Sequence, residues 1–142
     1  MEPLVHRLGY VALNVPDLDA AVLDAREVMG LALVEDLPDR ALLTSNTRHA
    51  ELIFHSAGAP SLAAIGLEVL EPRQVDEATR RARQLGVEVL AEVPSLSCIA
   101  HAVTLRFSEG HVVEVHTAMP RDRAIRYVAP GIHPRYIDHV NL

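Results

Sequence analysis

The fold of this chain is decided by LGYVALNVPDLDAAVLDAREVMG, the stretch from Leu8 to Gly30. Its first part, Leu8–Val15, alternates apolar residues with small or polar ones, which is typical of a strand. Asp17 then suits the N-cap of a helix, and Gly30 suits its C-terminal stop. The apolar side chains in between fall on one helical face. These are Leu18, Ala21, Val22, Ala25 and Val28. The stretch therefore predicts a β-α unit.

Three short strand candidates follow this unit. They are LALVEDL (31–37), RALLTS (40–45) and HAELIFH (49–55). Pro38-Asp39 and Ser45-Asn46 supply turn residues between them. The first half of the chain, 8–55, is therefore predicted to have the order β-α-β-β-β.

The same order of elements returns after a linker of small residues, SAGAPS (56–61). The opening strands of the two halves, LGYVAL at 8–13 and LAAIGL at 62–67, share the spacing apolar-x-x-branched-x-Leu. The second half is predicted to contain a strand at 62–70, a helix at 74–86, and strands at 87–93, 99–107 and 111–117. The repeat predicts an α+β fold of two βαβββ modules, 8–55 and 62–117.

A third copy of the opening strand is predicted at the end of the sequence. IDHVNL at 137–142 fits the same spacing. The segment before it, 118–134, contains three prolines and one glycine and has mixed charge, as an inter-domain connection does. We therefore expect 135–142 to be the first strand of a second domain whose remainder is missing from this sequence.

Composition excludes several classes of function. The net charge of −6 opposes binding to a nucleic acid backbone, and no apolar run is long enough to span a membrane. No signal peptide is visible, and the single Cys98 suits a reducing compartment as a buried, inert thiol, so a cytoplasmic protein is expected. Phosphate-binding loops, CxxC and GxSxG motifs do not occur in the sequence.

Paired βαβββ modules with this opening strand resemble the vicinal oxygen chelate superfamily. That superfamily includes glyoxalase I, bleomycin-resistance proteins and extradiol dioxygenases. The phrases LGYVALNVPDLDAAVLDAREVMGL and PRYIDHVNL are most similar to the N-terminal domain of two-domain extradiol (catechol 2,3-) dioxygenases. The resemblance implies that residues 1–117 form one paired domain and that a second pair of modules holds the iron.

The resemblance also implies where metal ligands belong. The family takes them from the opening strands of two modules and from the last strand of one, which here correspond to Tyr10, to Ala63 or Ala64, and to Glu114. Alanine cannot bind metal, and a 2-His-1-carboxylate site needs two imidazoles. Only Glu114 remains, so this chain is expected to bind no metal by itself. A structural partner for Glu114, such as Arg106, is favoured over a metal ion.

In the third copy, the corresponding position is His139, which the resemblance implies is the first Fe(II) ligand of the missing domain. A relocated metal site built from Glu114 with His101, His111 or His116 is the alternative. Glu114 and His116 alternate onto the same strand face. We interpret the three histidines as surface or turn residues, and Tyr10 as a packed aromatic residue.

The resemblance implies the N-terminal, non-catalytic domain of an Fe(II)-dependent extradiol ring-cleavage dioxygenase. The intact enzyme would act on a catechol-type aromatic with dioxygen, and would form a homo-oligomer. The alternative is a metal-free binding protein of the bleomycin-resistance type, in which Ala12, Ala64 and Gly66 leave room for a ligand. A further alternative is a glyoxalase-like homodimer, in which the tail of one chain brings His139 near Glu114 of the other.

Overall fold

The computed structural model describes residues 2–121, 132, 134–137 and 140–141. They form two compact units, each with one helix. The unit with helix α1 (Leu18–Glu27) comprises Tyr10–Ala63 and the described residues from Pro120 onward. The unit with helix α2 (Pro72–Leu85) comprises the residues up to Gly9 together with Ala64–Met119. We call them the α1 unit and the α2 unit.

The α1 unit is a four-stranded sheet with α1 packed on one face. Its strands are β1 (Arg7–Val15, of which Tyr10 onward belongs here), β2 (Ala32–Asp36), β3 (Arg40–Thr44) and β4 (Leu52–Ser56). Their spatial order is β2-β3-β4-β1. The β1–β4 pair is parallel, and the other two pairs are antiparallel.

Local chemistry explains where α1 begins and ends. The Asp17 carboxylate accepts the backbone N–H of Ala20, which satisfies one of the free donors of the first turn. Gly30 follows the helix with φ of 71°, a left-handed conformation that glycine adopts without a Cβ clash. The apolar face of the helix packs on one core cluster. Its buried members are Ala25, Leu31, Ala41, Leu43 and Phe54.

The α2 unit repeats this arrangement. Its strands are β5 (Ser61–Val69, of which Ala64 onward belongs here), β6 (Glu88–Ala91), β7 (Ala102–Arg106) and β8 (Val112–Thr117). Their spatial order is β5-β8-β7-β6. The β5–β8 pair is parallel, and β7 is antiparallel to both of its neighbours.

Helix α2 is capped at both ends. A capping box joins Glu71 and Gln74 at the start, with Pro72 in the first turn, and Gly86 closes the helix with φ of 72°. The helix buries its apolar face on a second core cluster. The cluster comprises Val69, Val75, Ala78, Ala82, Val103, Leu105, Val113 and Val115.

The order of elements confirms the predicted α+β fold with its repeated βαβββ pattern. Two strands start three residues later than predicted. β4 starts at Leu52 rather than at 49, and β7 starts at Ala102 rather than at 99. The excluded residues make loop contacts instead: Glu51 pairs with Arg48, and the backbone N–H of Ile99 donates to the Leu96 carbonyl.

The predicted connection at 118–134 and the predicted strand at 135–142 lie largely outside the described residues, which omit 122–131, 133, 138, 139 and 142. Both stay predictions.

Within the described part of the chain, no helix combines the length and apolar character needed to cross a bilayer.

Candidate functional site

In the α2 unit, the sheet face turned away from α2 carries buried ionisable side chains. Val113 and Val115 of β8 pack with α2, so the alternating Glu114 points to the opposite face. The strand register places Glu68 of β5 beside His116 of β8 on that same face. The exposed fractions of Glu68, Glu114 and His116 are 2%, 1% and 0%. Ionisable groups buried to this degree need hydrogen-bond or charge partners. We call Glu68, Glu114 and His116 the polar face.

Glu114 holds the loop between β6 and β7. Its carboxylate accepts the backbone N–H of Ser95 at 2.8 Å and the Ser95 hydroxyl at 3.0 Å. The suggested pairing with Arg106 is wrong. The register places Val112 opposite Arg106, and the Arg106 guanidinium binds Glu88 at 3.2 Å. Glu114 therefore fixes a loop position 19 residues earlier in the chain.

His116 is enclosed, which contradicts its interpretation as a surface or turn residue. Its Nδ1 lies 2.8 Å from the Thr117 carbonyl oxygen, an acceptor, so Nδ1 carries a proton. The other edge of the ring lies over Gly9. A Cβ atom on Gly9 would fall 2.2 Å from Nε2 and 3.3 Å from the Gly66 carbonyl oxygen. The missing side chain at Gly9 thus makes room for the imidazole rather than for a ligand.

Glu68 is neutralised by Arg7. The Arg7 guanidinium donates to the Glu68 carboxylate, and the backbone N–H of His6 donates to the Glu68 carbonyl at 2.8 Å. Arg7 keeps 34% of its side chain exposed, so the charge pair extends from the buried face to solvent. Glu68 and Arg7 were not singled out in the sequence. The only sequence feature that could have indicated this pair is the presence of oppositely charged residues on the opening strands of the two modules.

The other two closing-strand histidines are partly exposed, as predicted. His101 places Nε2 2.7 Å from the Asp76 carboxylate, and its backbone N–H donates to the Thr117 hydroxyl at 3.2 Å. His111 precedes β8 in a turn. Cys98 is half-buried rather than buried.

The described residues do not fit the metal site of the family. Among them, no group of three or more His, Cys, Asp and Glu side chains is arranged to hold a metal ion. Tyr10 is 2% exposed in the core, and Glu114 is hydrogen-bonded to Ser95. His139 lies outside the described residues. Within the described chain, two imidazoles and a carboxylate do not come together.

A buried charged pair lies in the loop between β3 and β4 of the α1 unit. Arg48 is 6% exposed and pairs with Glu51, which is 2% exposed. Glu51 also accepts the hydroxyl of Ser45. Sequence reasoning had placed 49–55 in a strand and missed this pair. The sequence feature that could have indicated the pair is the spacing of Arg48 and Glu51, which carry opposite charges three residues apart.

Comparison with known proteins identifies the family. Residues 7–115 match the Glyoxalase/Bleomycin resistance protein/Dioxygenase superfamily. This match covers most of the chain, and the chain therefore belongs to that superfamily.

Individual relatives point to extradiol dioxygenases. Biphenyl-2,3-diol 1,2-dioxygenase of Sphingomonas paucimobilis is 30% identical over 86 residues, which are 60% of this chain and 29% of that enzyme. A catechol 2,3-dioxygenase structure superimposes with a TM-score of 0.74 and 27% identity, covering 85% of this chain and 42% of that one. The chain is similar to the N-terminal portion of such two-domain enzymes.

The fold is also shared with a Mn(II)-bound glyoxalase from Novosphingobium aromaticivorans. The TM-score is 0.78 at 21% identity, over 87% of this chain and 43% of the glyoxalase. The present chain thus spans less than half the length of each of these three relatives.

Proposed function

We propose that this chain is the N-terminal, non-catalytic domain of an Fe(II)-dependent extradiol ring-cleavage dioxygenase that acts on a catechol-type aromatic. One observation carries the proposal. Two ring-cleavage dioxygenases match 60% and 85% of this chain, yet the chain spans only 29% and 42% of them. The iron, the catechol and dioxygen would then bind to the remaining part of a longer protein.

The buried charges of the α2 unit support a structural role. Glu114 is engaged by Ser95, and Glu68 by Arg7. Hydrogen-bonded carboxylates of this kind hold loops and strands in place. In the proposed enzyme this domain would stiffen the catalytic domain and contribute contacts to a homo-oligomer.

The proposed division of the chain follows the repeat in the sequence. Residues 1–117 would be the paired modules, 118–134 the connection and 135–142 the start of the catalytic domain. His139 would be the first iron ligand there, since imidazole is a usual ligand of Fe(II) in 2-His-1-carboxylate sites. The proposed compartment is the cytoplasm, where Cys98 stays reduced.

The test begins with the protein expressed from its native gene. We expect an intact mass well above 15.5 kDa and bound iron by elemental analysis. We also expect cleavage of catechol to a coloured semialdehyde, or of 2,3-dihydroxybiphenyl to a coloured phenyl ketone acid. The 142-residue chain alone should show no turnover. An intact mass equal to that of this chain would overturn the proposal.

A variant of the longer protein tests the ligand assignment. His139→Ala should abolish both iron binding and turnover. His6→Ala is the matched control, because His6 is exposed and its described bond uses only the backbone N–H. Full iron content in His139→Ala would refute the assignment of His139.

A further inference from the structure

Three of the described residues after Met119 make hydrogen bonds to residues of Tyr10–Ala63, although β8 of the α2 unit immediately precedes this segment in sequence. The Pro120 carbonyl accepts the backbone N–H of His49 at 3.2 Å. The backbone N–H of Ile132 donates to the Val28 carbonyl at 3.2 Å. The Arg135 carbonyl accepts the side-chain amide of Asn46 at 3.0 Å. Three separated points of this segment therefore bond to residues of Tyr10–Ala63.

The loop that supplies two of these contacts is internally braced. Oδ1 of Asn46 accepts the backbone N–H of Arg48 at 2.8 Å, which leaves Nδ2 of the same amide to donate to Arg135. Arg48 in turn is anchored by its buried pair with Glu51. Because the loop is ordered by its own bonds, holding the segment costs little additional conformational entropy.

We infer that the β3–β4 loop and the end of α1 form a docking surface for the chain at Pro120, Ile132 and Arg135, and that Asn46 is the positioning residue on it. The functional consequence rests on the proposed function. If the segment leads into a following domain, the α1 unit sets where that domain begins.

The Asn46→Asp variant removes one of the two hydrogen bonds of this side chain and keeps the other. The aspartate keeps an oxygen for the Arg48 N–H and loses the donor to the Arg135 carbonyl. The matched control is Asn14→Asp, because Nδ2 of Asn14 also donates an exposed hydrogen bond in the α1 unit, to the Ser61 hydroxyl at 2.8 Å. The control makes the same amide-to-carboxylate change in the α1 unit without touching Arg135, and the Ser61 hydroxyl can donate to the new carboxylate.

The measurement is native-state trypsin cleavage after Arg135 in the 142-residue chain, followed by mass spectrometry. Asn46→Asp should accelerate this cleavage about fivefold, the factor expected for one lost hydrogen bond. Hydrogen exchange at the Ile132 amide should accelerate with it. Asn14→Asp should leave both rates unchanged.

Two results would overturn the inference. One is equal cleavage after Arg135 in the two variants. The other is an equal acceleration in Asn46→Asp after Arg106, within β7, since that would mean general unfolding. Neither measurement needs a longer protein or iron, so docking can fail or succeed independently of the proposed dioxygenase function.

Discussion

The two units share a topology but differ in what they bury on the sheet face turned away from the helix. In the α1 unit the middle of this face is apolar, where Leu42 and Ile53 are each 1% exposed. In the α2 unit the same face holds Glu68, Glu114 and His116 at equal burial. The helix-facing sides are alike, since both are built from aliphatic or aromatic side chains.

This difference shows that burying apolar side chains and burying polar side chains have different structural requirements. An apolar face needs only packing partners, which any neighbouring hydrocarbon can provide. A polar face needs matched donors and acceptors, and Ser95, Arg7 and the Thr117 carbonyl supply one to each of its three residues. The polar face should therefore be less tolerant of substitution, and its tolerance should depend on geometry more than on volume.

The largest effect is expected at Gly9. In Gly9→Ala the new methyl group would overlap the His116 ring, and the unfolding free energy should fall by about 3 kcal/mol. Gly58→Ala is the control, since a Cβ there meets nothing within 4 Å. Urea denaturation of both variants measures the difference. Adding His116→Ala to Gly9→Ala should recover part of the loss, and strictly additive losses would contradict the proposed overlap.

A smaller effect is expected at Glu114. Glu114→Ala leaves both donors of Ser95 without their acceptor and should cost about 2 kcal/mol. Glu114→Gln should cost under about 1 kcal/mol, because an amide can accept the Ser95 N–H and donate to its hydroxyl. Thermal and urea unfolding compare the two variants. Equal losses would show that charge, rather than hydrogen-bond geometry, is what this position needs.

The smallest effect is a pH dependence at the edge of the apolar face, where His55 pairs with Arg40 across β3 and β4. Burial, and then the positive charge of Arg40, lower the pKa of His55 below its ordinary value of 6.5, while Asp39 raises it. The unfolded chain then binds the proton more readily. Stability should fall as the pH drops through 6.5 toward the folded pKa.

His55→Gln removes the titrating group and should flatten the curve of unfolding free energy against pH between about pH 7 and 5. His111→Gln, at a turn outside this face, is the control. An unchanged slope in His55→Gln would mean that another group produces the pH dependence.

Most of the repeated pattern was readable from sequence because it rests on local chemistry. Asp17 caps its own helix, Gly30 and Gly86 end helices by adopting positive φ, and alternation sets which side chains face α1 or α2. Neighbours in sequence suffice for each of these. The superfamily followed from the same pattern, and residues 7–115 confirm it.

The candidate site was less predictable because its contacts join residues far apart in the chain. Alternation put Glu114 and His116 on one face, but no local rule pairs Ser95 with Glu114 or sets Gly9 beneath His116. Residues 49–51 were predicted to be the start of a strand but belong to the β3–β4 loop, where Glu51 forms a buried charge pair with Arg48.

By itself, then, the sequence determined the order of helices and strands, the positions of the caps and the βαβββ repeat. These depend on interactions spanning a few residues, which a linear pattern records. Only the tertiary structure decided that the polar face is closed by Ser95, Arg7 and Gly9. It also decided that Pro120, Ile132 and Arg135 bond to residues of Tyr10–Ala63. Such contacts form when sheet register and loop geometry bring distant residues together, and the spacing of residues along the chain carries no record of that.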